Sequence, residues 1–126
     1  MVSVAERLRP SNSRPVDPAG EASAFHEVAD VLGCKWTVAI LDAMDHGVNR
    51  PGRLLRELPG LSAKVLNQRL RKLQTFGLVV RHAHPEIPPR VEYGFTSRGR
   101  SMLDVVRAAR RYADWAIATA GDIETR

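Results

Sequence analysis

The segment from Ser62 to Gly77 has the most informative arrangement of apolar and polar side chains in the chain. Its leucines recur at helical spacing, at positions 66, 70 and 73, and predict a helix that Ser62 caps and Gly77 ends. The opposite side carries hydrogen-bonding or cationic groups, which are Lys64, Asn67 on a flank, Gln68, Arg71 and Thr75. This helix contains no acid, although opposite charges would stabilise an ordinary surface helix. The composition therefore predicts a face that binds anions.

Positive charge is concentrated around this helix. The whole chain has a formal charge of +5, but residues 50–100 hold eleven Lys or Arg against three acids, a sum of +8 that leaves −3 for the rest. One basic block is the electrostatic footprint expected for a phosphate-rich partner. A solvated basic face without a partner is the alternative.

Composition also limits the class of protein. No run of eighteen apolar residues is present and the N-terminus lacks an apolar signal region, so we expect a soluble, cytoplasmic protein with no membrane partner. The single cysteine, Cys34, excludes an intrachain disulfide. No Ser/His/Asp set or glycine-rich phosphate loop is found, and the acids are scattered. We therefore predict neither an enzyme nor a cofactor.

The rest of the chain divides into an arm, one domain and a tail. Residues 1–20 contain three prolines and no apolar periodicity, so we expect a disordered N-terminal arm. Residues 21–120 are expected to form the domain, and 121–126 a loose C-terminus. Periodicity predicts helices over 21–32, 36–44 and 51–58, and a last helix that Ser97 caps and that runs to about Thr119. Strands over 78–84 and 91–96 flank the loop PEIPPR and predict a hairpin.

This order of elements is that of a winged helix-turn-helix, a mainly α fold with a small β-hairpin. The turn Pro59-Gly60 joins the third helix to the helix over 62–76, which can enter a DNA major groove about 12 Å wide. Gln68 and Asn67 suit adenine edges, Lys64 and Arg71 suit guanine or phosphate, and Ser62 with the free amides of the first turn suits a phosphate. The flanking backbone and minor groove are expected to meet Arg53, Arg81 and Arg90, with His82 and His84.

Several motifs resemble one family in order and content. The segments VLGCKWTVAIL and RPGRLLRELPGLSAKVLNQRLRKLQTFGLVVRHAHPEIPPRVEYGFTSRGRSM resemble the HxlR family of bacterial winged-helix regulators, related to the MarR group, over about Val28 to Leu103. The resemblance implies a homodimer, joined by its first and last helices, that binds a palindromic operator near a promoter; we expect a repressor. It also implies that the recognition positions are Ser62, Lys64, Asn67, Gln68 and Arg71, with Arg90 near phosphate.

The predicted dimer helices carry several large apolar residues. Phe25, Trp36, Tyr112 and Trp115 fall in the first, second and last helices, where a dimer cleft could hold a small hydrophobic effector. Leu103 and Val106 are expected at the dimer interface as well. The alternative for the aromatic residues is that they belong to the core.

The sequence also departs from the family. In redox-sensing members of the family the first helix begins with C-P-x-E, and this chain has Ser23 at the matching position. Cys34 falls at a position where the family commonly has glycine. Cys34 is therefore interpreted as a buried, inert residue or, alternatively, as a redox-reactive thiol. His82 and His84 share a strand face near Glu86, but no third His or Cys converges on them, so we predict no metal site.

Two other classes of function stay open at this point. The same basic face could serve a nonspecific nucleoid or RNA-binding module, which a weak preference for operator over random duplex would reveal. The winged fold could instead bind a protein partner, in which case charge reversal at Arg71 would leave DNA affinity unchanged.

Overall fold

The computed structural model describes residues 18–121, which form a winged helix-turn-helix of five helices and one antiparallel hairpin. In chain order the elements are α1 Pro18–Leu32, α2 Lys35–Asp45, α3 Pro51–Glu57, α4 Ala63–Thr75, β1 Val79–His84, β2 Arg90–Phe95 and α5 Ser97–Ala118. The predicted fold class is confirmed. Helix α1 begins at Pro18 rather than Glu21, since the first turn of a helix tolerates proline. The predicted arm up to residue 17 and the predicted tail from residue 122 lie outside the described residues.

The core lies beneath α4. Its three leucines, Leu66, Leu70 and Leu73, are almost completely buried, as the periodicity predicts. They belong to one cluster with side chains from every other helix, including Val31, Ile40, Leu41, Leu54, Met102, Leu103 and Val106. Because one side of α4 is committed to this cluster, its other side faces outward.

Both ends of α4 are fixed by local hydrogen bonds. Ser62 has an extended backbone and its Oγ accepts a hydrogen bond from the Val65 amide at 3.1 Å, which confirms the predicted N-cap. Gly77 has a φ of 74°, a conformation that glycine adopts without steric cost, and the Leu78 amide donates to the Leu73 carbonyl at 2.9 Å. The chain therefore leaves α4 directly into β1.

The hairpin is attached to the rest of the domain through β2. Its register runs from Val79 opposite Phe95 to His84 opposite Arg90. The Tyr93 amide donates to the Asn49 carbonyl at 2.9 Å, which joins β2 to the segment before α3.

No helix among residues 18–121 is long and apolar enough to cross a membrane.

Helix α5 begins with a different cap from the one predicted. Thr96, not Ser97, is the N-cap: its Oγ1 accepts from the Gly99 amide at 3.0 Å and donates to the Gly77 carbonyl at 2.6 Å. Ser97 already has its place inside the first turn, so its hydroxyl cannot take the capping position. The Thr96 hydroxyl thus joins the start of α5 to the end of α4.

Gly99 allows the close approach of α5 to the hairpin. A Cβ atom at this position would overlap the carbonyl oxygen of Leu78, which is backbone and cannot rotate away. We expect Gly99→Ala to lower the free energy of unfolding by about 2–3 kcal/mol in urea denaturation, since the backbone must shift to relieve the overlap.

Gly52→Ala is the matched control for this prediction. A methyl group at Gly52 in α3 would meet nothing within 4 Å. Alanine also has the higher helix propensity, so the stability should be unchanged or raised. Equal effects of the two substitutions would contradict the close-approach explanation.

Candidate nucleic-acid interface

The outer face of α4 carries the predicted contact residues. Lys64, Asn67, Gln68 and Arg71 are exposed, opposite the buried leucines. They follow one another at spacings of three, one and three residues, which places them along one side of a helix about 20 Å long. Ser62 is also exposed, with its hydroxyl oxygen engaged in the cap. The structure therefore brings Lys64, Asn67, Gln68 and Arg71 onto one surface, with Ser62 exposed at the N-terminal end of α4.

Two other cations of α4 lie on the side that packs against α1. Lys72 Nζ lies 2.6 Å from a carboxylate oxygen of Asp30 in α1. Arg69 lines the small gap beside them, where α1, α2 and α4 meet. The helix without acids therefore obtains a counter-charge from α1. Sequence reasoning did not identify Asp30, although the position of Lys72 next to buried Leu73 could have indicated an inward cation.

A basic cavity lies between α3 and the tip of the hairpin. It has a volume of about 530 Å³ and its arginines come from both elements: Arg50, Arg53, Arg56 and Arg90. Glu86 and the prolines of the hairpin loop close the other side. Arg53 is exposed here, and its ion pair with Glu57 is long, at 3.9 Å. Arg81 is exposed on β1 and has no ion pair among residues 18–121.

Arg90 is not a free cation. One guanidinium nitrogen lies 3.1 Å from Glu86, and Nε lies 3.4 Å from Glu92. His84 Nε2 is 3.8 Å from the other oxygen of Glu92, and His82 stands opposite Glu92 in the hairpin register. The described residues contain no group of three side chains placed to hold a metal ion. His84 therefore lies beside the Arg90–Glu92 ion pair of the wing.

The residues predicted for the dimer interface separate into two sets. Leu103 and Val106 are only 4% and 3% exposed, because they face the core of their own chain, so their predicted place between two protomers is corrected. Tyr112 and Trp115 are 67% and 59% exposed and their rings lie 5.8 Å apart. Phe25 is exposed on α1.

Trp36 is not part of an aromatic cleft. Its half-buried ring lies beside Gly60 in the turn before α4, and the Lys35 ammonium group lies 4.9 Å from the ring centroid. Within residues 18–121 no ring pair joins Trp36 or Phe25 to Tyr112 and Trp115. The four aromatic residues therefore do not assemble one pocket in a single chain.

Comparison with known proteins decides what kind of protein has this architecture. The model of the HxlR-like helix-turn-helix family matches residues 31–120. The chain belongs to the HxlR-like helix-turn-helix family. It is therefore a DNA-binding transcriptional regulator with a winged helix-turn-helix. Helix α4 occupies the position of the recognition helix in a helix-turn-helix, and the hairpin β1–β2 is its wing.

Relatives of this HxlR-like regulator agree in sequence and in structure. The chain is 42% identical over 106 residues to an uncharacterized HTH-type transcriptional regulator of Synechocystis sp., covering 83% of this chain and 78% of the relative. A structure from Enterococcus faecalis, described as a transcriptional regulator of the MarR family, has a TM-score of 0.71 at 28% identity and covers 88% of this chain and 98% of its own. The redox regulator HypR in its oxidized form has a TM-score of 0.65 at 28% identity, covering 72% and 94%.

The single thiol of this HxlR-like regulator lies at the start of α2. Cys34 is half-buried in the N-cap position. Burial raises the pKa of the Cys34 thiol, but the hydroxyl and amide of Thr37, the charge of Arg69 and the amide of Trp36 outweigh it and lower the pKa below its ordinary value. Cys34 is therefore neither fully buried nor in a purely apolar environment.

This environment predicts how Cys34 reacts as the pH changes. Because the chain has one cysteine, alkylation by iodoacetamide reports on this thiol alone. A lowered pKa keeps the thiolate populated at lower pH, so the midpoint of the rate against pH should lie below that of the chain unfolded in urea. Thr37→Val should raise the midpoint and Thr37→Ser, which keeps the hydroxyl, should not. A folded midpoint at or above the unfolded one would show that burial prevails.

Proposed function

We propose that this regulator binds a palindromic operator as a homodimer and represses transcription by covering it. The observation that carries the proposal is the outer face of α4: four side chains that suit base edges stand exposed on a helix whose other side is buried. A helix of this kind fits the major groove, where each base pair presents a distinct pattern of donors and acceptors. We infer readout of sequence rather than of charge alone.

Each side chain of the outer face has a chemical preference. The carboxamides of Asn67 and Gln68 can form paired hydrogen bonds with adenine, and Lys64 and Arg71 can donate to guanine or to phosphate. Arg53 lines the cavity between α3 and the hairpin, and Arg81 lies on β1. Both suit the flanking phosphates. Arg90 suits a phosphate only if it exchanges its present carboxylate partners.

The proposal predicts different consequences for two glutamines of one helix. Gln68→Ala should weaken binding to the operator by about 1–3 kcal/mol, because a base contact is lost, and should relax the preference at one position. It should also relieve repression of a reporter under an operator-controlled promoter. The operator is obtained first, by sequencing the DNA that the protein binds in its own genome.

Gln74→Ala is the matched control. The side-chain amide of Gln74 donates to the Leu70 carbonyl at 3.4 Å and is partly buried. Its loss should therefore leave the ratio of operator affinity to random-duplex affinity unchanged. An unchanged ratio for Gln68→Ala would remove this residue from base readout. A wild-type protein that binds operator and random duplex equally would be a nonspecific module.

The surface of the second half of α5 is the observation that supports the proposed dimer. The helix has 22 residues, yet its buried positions end at Val106. Beyond that point it carries Tyr112, Trp115 and Ile117, all exposed large apolar side chains. The rings of Tyr112 and Trp115 adjoin each other, and aromatic residues are enriched in protein interfaces. We infer that this half of α5, with Phe25 of α1, covers a second copy.

Charge placed on this surface should separate the protomers. Tyr112→Glu combined with Trp115→Glu should give monomers in sedimentation velocity, because the carboxylates would be buried without partners. Folding should survive, since both side chains are exposed. Arg100→Glu, an exposed change in the first half of α5, is the control and should leave dimers. Persistent dimers of the double variant would place the interface elsewhere.

We further propose that a small apolar effector controls the dimer. A groove of about 320 Å³ between α2 and α5 is lined mainly by Leu32, Val38, Val106, Ala109 and Ala113, next to the exposed half of α5. A ligand there would contact the proposed dimer helix and the DNA-binding unit together. The alternative signal is oxidation of Cys34, supported by the lowered pKa of its thiol and by the similarity to a redox regulator.

A further inference from the structure

Glu92 of the wing lies between two arginines and close to a histidine. One carboxylate oxygen is 3.6 Å from the Arg50 guanidinium and 3.4 Å from Arg90 Nε, and the other is 3.8 Å from His84 Nε2. Arg50 is the residue that precedes α3, so this carboxylate collects cations from two elements. Its side chain is 28% exposed, which leaves it within reach of solvent and of a ligand.

The arginines around Glu92 are those that line the cavity between α3 and the wing. Arg50 and Arg90 both face that cavity, together with Arg53 and Arg56. A carboxylate and a phosphate compete for the same donors of a guanidinium group, because both offer paired anionic oxygens. In the protein without DNA, Glu92 lies at ion-pair distance from two arginines that a backbone phosphate could use, and it forms no hydrogen bond with Arg90 Nε.

We propose that Glu92 is an internal counter-ion of the DNA interface, which neutralises Arg50 and Arg90 in the free protein and yields them to a DNA phosphate on binding. This inference rests on the proposed function of the wing and α3. Phosphate contacts carry no sequence information, so a counter-ion at this place lowers affinity for every duplex and leaves base readout by α4 unchanged. Glu92 thus sets the strength and the salt dependence of binding.

A purely structural role for Glu92 leads to the opposite expectation. The wing is already attached through the Tyr93 amide on Asn49, at 2.9 Å, and through the Thr96 hydroxyl on Gly77. Ion pairs at this exposure contribute at most about 1 kcal/mol. If Glu92 nevertheless held the wing in place, its neutralisation would weaken DNA binding and lower the melting temperature.

The experiment compares Glu92→Gln with Glu21→Gln, an exposed position on α1 outside the basic block. Both variants gain the same net charge. Affinities for operator and for random duplex are measured by fluorescence anisotropy over a salt series. Glu92→Gln should bind both duplexes at least about threefold more tightly at low salt, with a salt slope steeper by roughly one per protomer, since one further cation per chain releases a counter-ion. Glu21→Gln should match the wild-type protein.

A double-mutant cycle separates direct coupling between Glu92 and its arginine from a general effect of the protein's net charge. Arg50→Gln should cost less affinity in the wild-type chain than in the Glu92→Gln chain, because among residues 18–121 Glu92 is the acid that pairs with Arg50, whereas Arg90 keeps Glu86 in both backgrounds. Equal costs in the two backgrounds, a slope equal to that of Glu21→Gln, or weaker binding of Glu92→Gln would each overturn the inference. Failure of the wild-type protein to bind any duplex would instead refute the proposed function.

Discussion

Burial of one leucine stripe determines which surface of α4 this regulator exposes. Leu66, Leu70 and Leu73 lie in the core, and each fully buried leucine contributes about 1.5–3 kcal/mol. An exposed ion pair contributes at most about 1 kcal/mol, so the ion pairs of α4 cannot set its rotation about its own axis. The leucines set it, and the Ser62 cap and Gly77 set where the helix begins and ends. The polar outer face is exposed because the opposite, leucine-bearing face is buried in the core.

Ion pairs with acids then divide the cations of the basic block into two groups. Asp30 pairs with Lys72 on the inner flank of α4, and Glu92 with Glu86 pairs with Arg90 on the wing. Lys64 and Arg71 on the outer face of α4 have no such partner among residues 18–121. The count of positive charges therefore overstates the charge available to phosphate, because a part of it is already neutralised within the protein.

The features that were predictable from sequence are those fixed by neighbours along the chain. The cap at Ser62, the end at Gly77, the outer face of α4 and the hairpin all depend on local spacing. The burial of Leu103 and Val106 does not, since periodicity identifies an apolar face but not whether the same chain or a second copy covers it. The cap at Thr96 was missed because Thr96 and Ser97 are both good capping residues, and only the backbone path distinguishes them. The pairing of Lys72 with Asp30 requires α1 to lie against α4.

Helix α1 connects the recognition helix to the proposed dimer helix. Asp30 binds Lys72 of α4, and Glu27 binds Arg98 at the start of α5, at 3.1 Å. Helix α5 is also held against α2, where Arg107 and Arg110 bind Asp45 and Asp42. In the proposed dimer, the spacing of the two recognition helices is therefore set by packing within each protomer rather than by a flexible linker. The apolar core resists rearrangement, while each ion pair contributes little. A ligand in the groove between α2 and α5 would act first on the ion pair of Arg110, which lines that groove, and so on the angle of α5.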